Sequence, residues 1–205
     1  MVERIASWGF VVLAPTVFHR DGRAADLAPA EDLRAPGARE RFFAGGVGDR
    51  VAGLTPDLSD PDSDLWLATL DEHADGGPIG TTGYCMGARL ATRLAGRRPD
   101  RVAALGGFHG GGLVTEAPDS PHHALAAARA EVVYGHADAD PSMPPEAVAA
   151  LQEILEDSGR RFSNAVYPGA PHGFTMADTS MYDPAGAQRH DTELRDLLTR
   201  TLLTR

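Results

Sequence analysis

The chain contains no lysine: all 19 of its basic residues are arginine. That absence removes a lysine Schiff base and a lysine general base from the chemistry open to it. Cysteine is almost as scarce. Cys85 is alone among 205 residues, which rules out an internal disulfide and any multi-cysteine metal site. A lone thiol fits a reducing compartment, and a cytoplasmic location is expected. No run approaches the roughly 20 apolar residues of a membrane span. Residues 1–15 include Glu3 and lack both the basic start and the small-residue cleavage site of a signal peptide. Positive charge is also in deficit. A formal net charge of −10 argues against a nucleic-acid footprint and against an anchor on anionic lipid.

What remains is ordinary for a soluble globular protein. Hydrophobic residues make up 42% and charged residues 23%, so 1–205 is expected to form a single domain with its own core. Short apolar runs at residues 10–14, 79–84, 102–108, 132–134 with its flanks, and 162–167 read as strands. They are continuous rather than alternating, as in parallel strands covered on both faces. Between them, residues 63–74, 88–96, 144–158 and 184–203 read as helices. The last two carry apolar residues at helical spacing: Val148, Leu151, Ile154 and Leu155 in one, Leu194, Leu197, Leu198 and Leu202 in the other. Strand and helix in alternation predict an α/β fold with a doubly wound, mostly parallel sheet. Residues 21–48 read as a surface excursion, and no fixed-period repeat or low-complexity tract is present.

Chemistry concentrates in three places. Gly83-Tyr84-Cys85-Met86-Gly87 follows a predicted strand and opens a predicted helix. This is the G-x-nucleophile-x-G elbow with cysteine in place of serine, its glycines expected to let strand and helix approach closely. At a helix N-terminus, orphan N–H groups favour a thiolate, and the Met86 N–H is the expected oxyanion donor. A base is then needed. Of eight histidines, His172 alone lies in a loop between the last strand and the last helix, the position that the chain order nucleophile, acid, base requires. The acid that orients it should come from the turn after the 132–134 strand, where Asp138 and Asp140 compete. The one not used is expected to be a solvated loop residue or a helix cap.

Taken together, GYCMG, the aspartate-bearing turn and YPGAPHGF resemble the dienelactone hydrolase family of α/β-hydrolases over essentially the whole chain. The resemblance implies a hydrolase of a small ester or lactone, acting through Cys85, His172 and an aspartate, with no metal and no cofactor. It favours Asp140, which lies three residues after Ala137 and four before Pro144, over Asp138. Two departures from the family pattern stand out. Members usually carry a further strand pair and loop ahead of the segment that Met1 opens, bringing a second oxyanion N–H and a glutamate near the nucleophile. Their absence is expected to expose a sheet edge and weaken the oxyanion site. Dienelactone-cleaving members also tend to carry arginine four residues after the histidine, where this chain has Met176. The expected partner is a small molecule, and the chain is expected to be a monomer or homodimer. The alternative function is an impaired remnant that binds a ligand or senses oxidants through Cys85.

Other residues near the expected site have plainer readings. His109 reads as a hydrogen-bonded histidine in a glycine-rich turn. His122 and His123, adjacent and expected to point apart, read as surface residues rather than metal ligands. Phe42 and Phe43 read as packing beneath the excursion rather than as a lid.

Overall fold

Four of the apolar runs form strands: β1 (Ile79–Tyr84), β2 (Val102–Phe108), β3 (Glu131–His136) and β4 (Phe162–Val166). All pair in parallel, in the order β1-β2-β3-β4. The inner strands β2 and β3 are buried almost throughout, which is why their sequences run apolar without alternation. The structure, a computed structural model, describes residues 1–203.

Helices cover both faces of the sheet. Helix α6 (Met86–Arg97) follows β1, α7 (Pro145–Asp157) follows β3, and α8 (Pro184–Leu198) follows β4. Gly106 and Gly107 in β2 show how the layers are divided. A Cβ on Gly106 would lie 3.0 Å from Leu194 of α8, and one on Gly107 3.5 Å from Ala88 of α6. Neighbouring strand residues face opposite ways, so α8 and α6 lie on opposite sides. Leu105, Phe108, Val132, Leu151, Leu194 and Leu197 fill the core between them. Tyr134 is fully buried as well, and its hydroxyl is satisfied by the Thr92 hydroxyl at 2.7 Å.

By contact the described residues divide into two compact units, Met1–Gly76 with Asp178–Ser180, and Gly77–Ala177 with the chain from Met181 onward. The first unit contains α1 (Val2–Ala6), α2 (Ala24–Leu27), α3 (Ala38–Phe42), α4 (Gly48–Gly53) and α5 (Pro56–Asp71). Within it Arg20 makes a two-pronged ion pair, at 2.6 and 2.8 Å, with the buried carboxylate of Asp62.

Several expectations need correction. Residues 10–14 form no strand: no described segment pairs with them, Val11 is 58% exposed, and a strand needs a ladder partner as well as composition. Helix α5 begins at Pro56, ahead of the expected residue 63, and runs through Pro61 despite the hydrogen bond that proline cannot make. The excursion at 21–48 holds α2, α3 and a π-helical turn (Phe43–Val47). Phe43 in that turn is not packed beneath it but exposed, with the Arg39 guanidinium 4.6 Å above its ring. The last helix gives way to a π turn at Thr199–Leu203, though Leu202 still reaches β1, lying 3.4 Å from where a Cβ on Gly80 would be.

Candidate active site

Parallel strands in sequential order deliver their following loops to one edge of the sheet. Cys85 follows β1, His109 follows β2, Asp138 and Asp140 follow β3, and His172 lies in the loop after β4.

Cys85 occupies a tight turn with φ 52° and ψ −120°, a left-handed backbone conformation that non-glycine residues rarely adopt. Its N–H donates to the Phe108 carbonyl at 3.1 Å, and its carbonyl accepts from Ala88 N–H at 3.2 Å. The two glycines of the elbow do not share the expected role. A Cβ on Gly83 would fall on the Gly87 carbonyl and 2.6 Å from the Ala88 nitrogen, whereas a Cβ on Gly87 would meet nothing within 4 Å. Close approach of strand and helix therefore demands glycine only at Gly83.

Cys85 is part-exposed and opens onto a cavity of about 590 Å³, whose walls include Met86, Arg89, Gly111, Ser142 and His172. The thiol is hydrogen-bonded to the His172 ring and to the Met86 backbone N–H. On the far side of the ring, His172 Nδ1 lies 2.6 Å from Asp140 Oδ2, leaving Nε2 for the sulfur. The second carboxylate oxygen of Asp140 accepts from Ser142 twice, from its N–H at 2.9 Å and its hydroxyl at 2.7 Å. Asp138 does something else. Its Oδ2 accepts from Gly169 N–H at 2.7 Å, and its own N–H donates to the Ala170 carbonyl at 2.7 Å. It is an exposed loop residue, one of the two roles expected of it, and it also ties the turn after β3 to the loop that presents His172.

These contacts set the electrostatics. The His172 pKa is pushed up to about 9, chiefly by the hydrogen bond to Cys85, with Asp140 adding to it and burial opposing it. Burial works to raise the Cys85 pKa, but the His172 hydrogen bond and charge and the Met86 N–H outweigh it, and the thiol ends below its ordinary value. Asp140 behaves alike: burial opposes ionisation, and hydrogen bonds from His172 and Ser142 more than compensate. The arrangement favours a thiolate–imidazolium pair backed by a carboxylate.

His109 is fully buried, with φ 36°, and its Nε2 is 2.8 Å from the Thr175 hydroxyl. Its ring packs edge-on to His172 with centroids 5.3 Å apart. Burial first, and the His172 charge second, lower its pKa to about 3, so it stays neutral beside the imidazolium. His122 and His123 do not point apart: a 3₁₀ turn (Pro121–Ala126) brings their ring centroids to 4.0 Å. Among the described residues, however, no group of three His, Cys, Asp or Glu side chains is placed to hold a metal ion. Likewise, no described helix is long and apolar enough to cross a membrane. Sequence reasoning missed Ser142 and Arg89. The first stands two residues after Asp140 and the second one helical turn after Cys85, so spacing alone could have suggested both.

Comparison with known proteins is consistent with this geometry. A sequence model of the dienelactone hydrolase family matches residues 1–202. A protein of Methylorubrum extorquens, provisionally named carboxymethylenebutenolidase, is 26% identical over 201 residues, which are 95% of this chain and 64% of that protein. The carboxymethylenebutenolidase of Rhodococcus opacus is 28% identical, over 94% of this chain and 70% of its own. The chain thus spans about two thirds of the length of these relatives. A Klebsiella pneumoniae structure, provisionally called a dienelactone hydrolase, superimposes with a TM-score of 0.71 at 20% identity. The match covers 96% of this chain and 78% of that one, so the two share the α/β-hydrolase fold.

Proposed function

We propose, starting from the fact that this chain belongs to the dienelactone hydrolase family, that it hydrolyses small esters or lactones through a Cys85–His172–Asp140 triad. One observation carries this reading. The thiol at the strained turn is hydrogen-bonded to His172, whose other nitrogen is held by Asp140 at 2.6 Å. The relatives' name supports a lactone or ester substrate, since a butenolide is a lactone.

In the reaction the Cys85 thiolate attacks the substrate carbonyl carbon, and the carbonyl electrons move to oxygen beside the Met86 N–H. Collapse of that oxyanion breaks the carbon–oxygen bond, and the departing alkoxide takes the proton from His172. A thioester on Cys85 remains. The now neutral His172 takes a proton from water as the hydroxyl adds to the thioester carbonyl. Expulsion of the thiolate frees the acid and restores the ion pair. Ser142 and Asp140 keep the imidazole oriented throughout. Alkoxides leave far more readily than amide nitrogen, so esters and lactones suit a thioester route better than amides.

Rapid mixing with p-nitrophenyl acetate tests the reading. A burst of about one p-nitrophenolate per chain is expected, with an acetyl group on the Cys85 peptide by mass spectrometry. Slow linear release without an adduct would overturn it. Reversible oxidation of Cys85 with no turnover would instead favour a thiol-sensing module.

A pH profile separates the roles further. Because imidazolium must protonate the leaving alkoxide, kcat/KM for an alkyl ester should hold through neutral pH and fall above about 9. Asp140→Asn removes an interaction that raises the His172 pKa, so the alkaline limb should move to lower pH by about one unit or more. A limb that stays in place would remove Asp140 from the triad.

A further inference from the structure

Three loops of the site meet at His109, the first residue after β2. Immediately before it, the Phe108 carbonyl accepts the N–H of Cys85 at 3.1 Å. The His109 N–H donates to the Gly135 carbonyl at 2.8 Å, on the strand that leads to Asp140. Its ring reaches the third loop. Nε2 lies 2.8 Å from the Thr175 hydroxyl, and the ring packs edge-on to His172 and to the buried Phe174, with centroids 5.3 and 5.0 Å away. The backbone there is strained: φ is 36°, a value that few side-chain-bearing residues tolerate, histidine among them. Among the described residues its Nδ1 is buried without a partner. A buried orphan N–H is rarer in folded proteins than an unmet acceptor, so the proton belongs on Nε2, where it donates to Thr175 Oγ1. An apolar ring would fill the same space without a polar atom left unmet. The histidine therefore calls for a reason beyond packing.

We infer that His109 is a positioning residue of this site, which grips the loop bearing His172 through the Thr175 hydroxyl and through ring packing. So held, the imidazole meets Cys85 on one side and Asp140 on the other. The inference rests on Cys85 and His172 being the working pair. Thr175 is well placed to pass the grip on. It stands three residues after His172 in two successive turns, where Phe174 N–H donates to the Pro171 carbonyl at 3.0 Å and Met176 N–H to Gly173 at 2.8 Å. The titratable groups whose charge reaches the His109 ring are His172, His190 and Asp140. A neutral ring suits the place, because a second imidazolium would repel the charge on His172. With its loop fixed in advance, His172 can deliver a proton to the departing alkoxide without first ordering that loop.

The test compares two esters of one acid, ethyl acetate and p-nitrophenyl acetate. The alkoxide of the first must take a proton from His172 as it departs, whereas p-nitrophenolate leaves without one. Thr175→Val keeps the shape and removes the hydroxyl. It should lower kcat/KM for ethyl acetate by about 3- to 10-fold, with a smaller loss on p-nitrophenyl acetate. His109→Asn keeps a residue suited to positive φ but has no ring, and should cost about 10- to 100-fold on ethyl acetate. Adding Thr175→Val to it should change nothing further, because the two act through one contact. Thr175→Ser retains the hydroxyl and should stay close to wild type. A second readout needs no turnover. The hydrogen bond and charge of His172 hold the Cys85 pKa down, so a loosened His172 lets it rise. The pH midpoint for alkylation of Cys85 by iodoacetamide should therefore move up by about half a unit or more in Thr175→Val and in His109→Asn. An unmoved midpoint in both variants would overturn the inference. Equal losses on the two esters would overturn it as well, since they would mark damage to the fold rather than a displaced imidazole. A midpoint that rises in chains that hydrolyse neither ester would uphold the placement of His109 and end the hydrolase reading instead.

Discussion

Cys85→Ala should lower ester turnover by about 10⁴- to 10⁶-fold, to the residue of catalysis that binding and the oxyanion site provide alone. The size follows from the reaction proposed. Without the thiol no thioester forms, and His172 has no nucleophile to keep charged. The substitution leaves folding almost untouched, since alanine and cysteine suffer alike at φ 52° and the sulfur faces an open cavity. Thermal unfolding close to wild type, with turnover lost, is the expected pair of measurements. Cys85→Ser sharpens the comparison. A serine hydroxyl is far too weak an acid to form an ion pair with His172 at neutral pH, so the serine chain should be well below wild type despite identical geometry. Alanine and wild-type chains turning over ester at similar rates would remove Cys85 from the mechanism.

Gly83→Ala should cost more than about 4 kcal/mol, a large part of the stability of an ordinary domain. The added methyl would meet backbone on its open side, the Gly87 carbonyl and the Ala88 nitrogen 2.6 Å away, and neither can turn aside as a side chain would. Relief would require α6 to retreat from β1, taking Cys85 out of its turn. At roughly 2 to 4 °C per kcal/mol for a chain of this size, the melting temperature should drop by about 8 °C or more, or the variant should fail to fold. Gly87→Ala is the contrast. Its Cβ would enter open space in the first turn of α6, and alanine favours helix over glycine, so this chain should melt at or above wild type. Similar melting temperatures for the two variants would show that the turn tolerates side chains at either position.

The sequence made β1 and β2 legible to the residue because each is an apolar run bounded by turn-forming residues, and such boundaries are local. Residues 10–14 carried the same composition and misled. Strand formation depends on a partner elsewhere in the chain, and no local pattern reports one. The start of α5 was hidden for a related reason: Pro61 looks like a stop signal, yet the helix accepts one missing bond. At the candidate site, chemistry guided the search better than pattern did. Cys85, Asp140 and His172 could be proposed as a triad because a nucleophile, a base and an acid are required in a known chain order, and His172 Nδ1 does lie 2.6 Å from Asp140. Asp138 is the exposed loop residue expected, but its tie to the His172 loop was hidden because its partners, Gly169 and Ala170, are backbone groups that any residue could supply. Arg89 escaped because an arginine on an amphipathic helix is usually a solvated one, and only the packed structure shows it on the cavity wall with its Nε buried without an acceptor.

The sequential order of the strands has a consequence for how the molecule is made. Synthesis delivers β1 with the thiol, then β2, then β3 with both aspartates, and only then β4 and the loop bearing His172. Each new strand can dock on the one just finished, so assembly can follow the ribosome without waiting for a distant partner. A nascent chain folded as far as β3 carries the sulfur and the carboxylate but not His172. The hydrogen bond and charge from His172 that lower the Cys85 pKa are therefore the last to arrive, with the fourth strand and the loop after it.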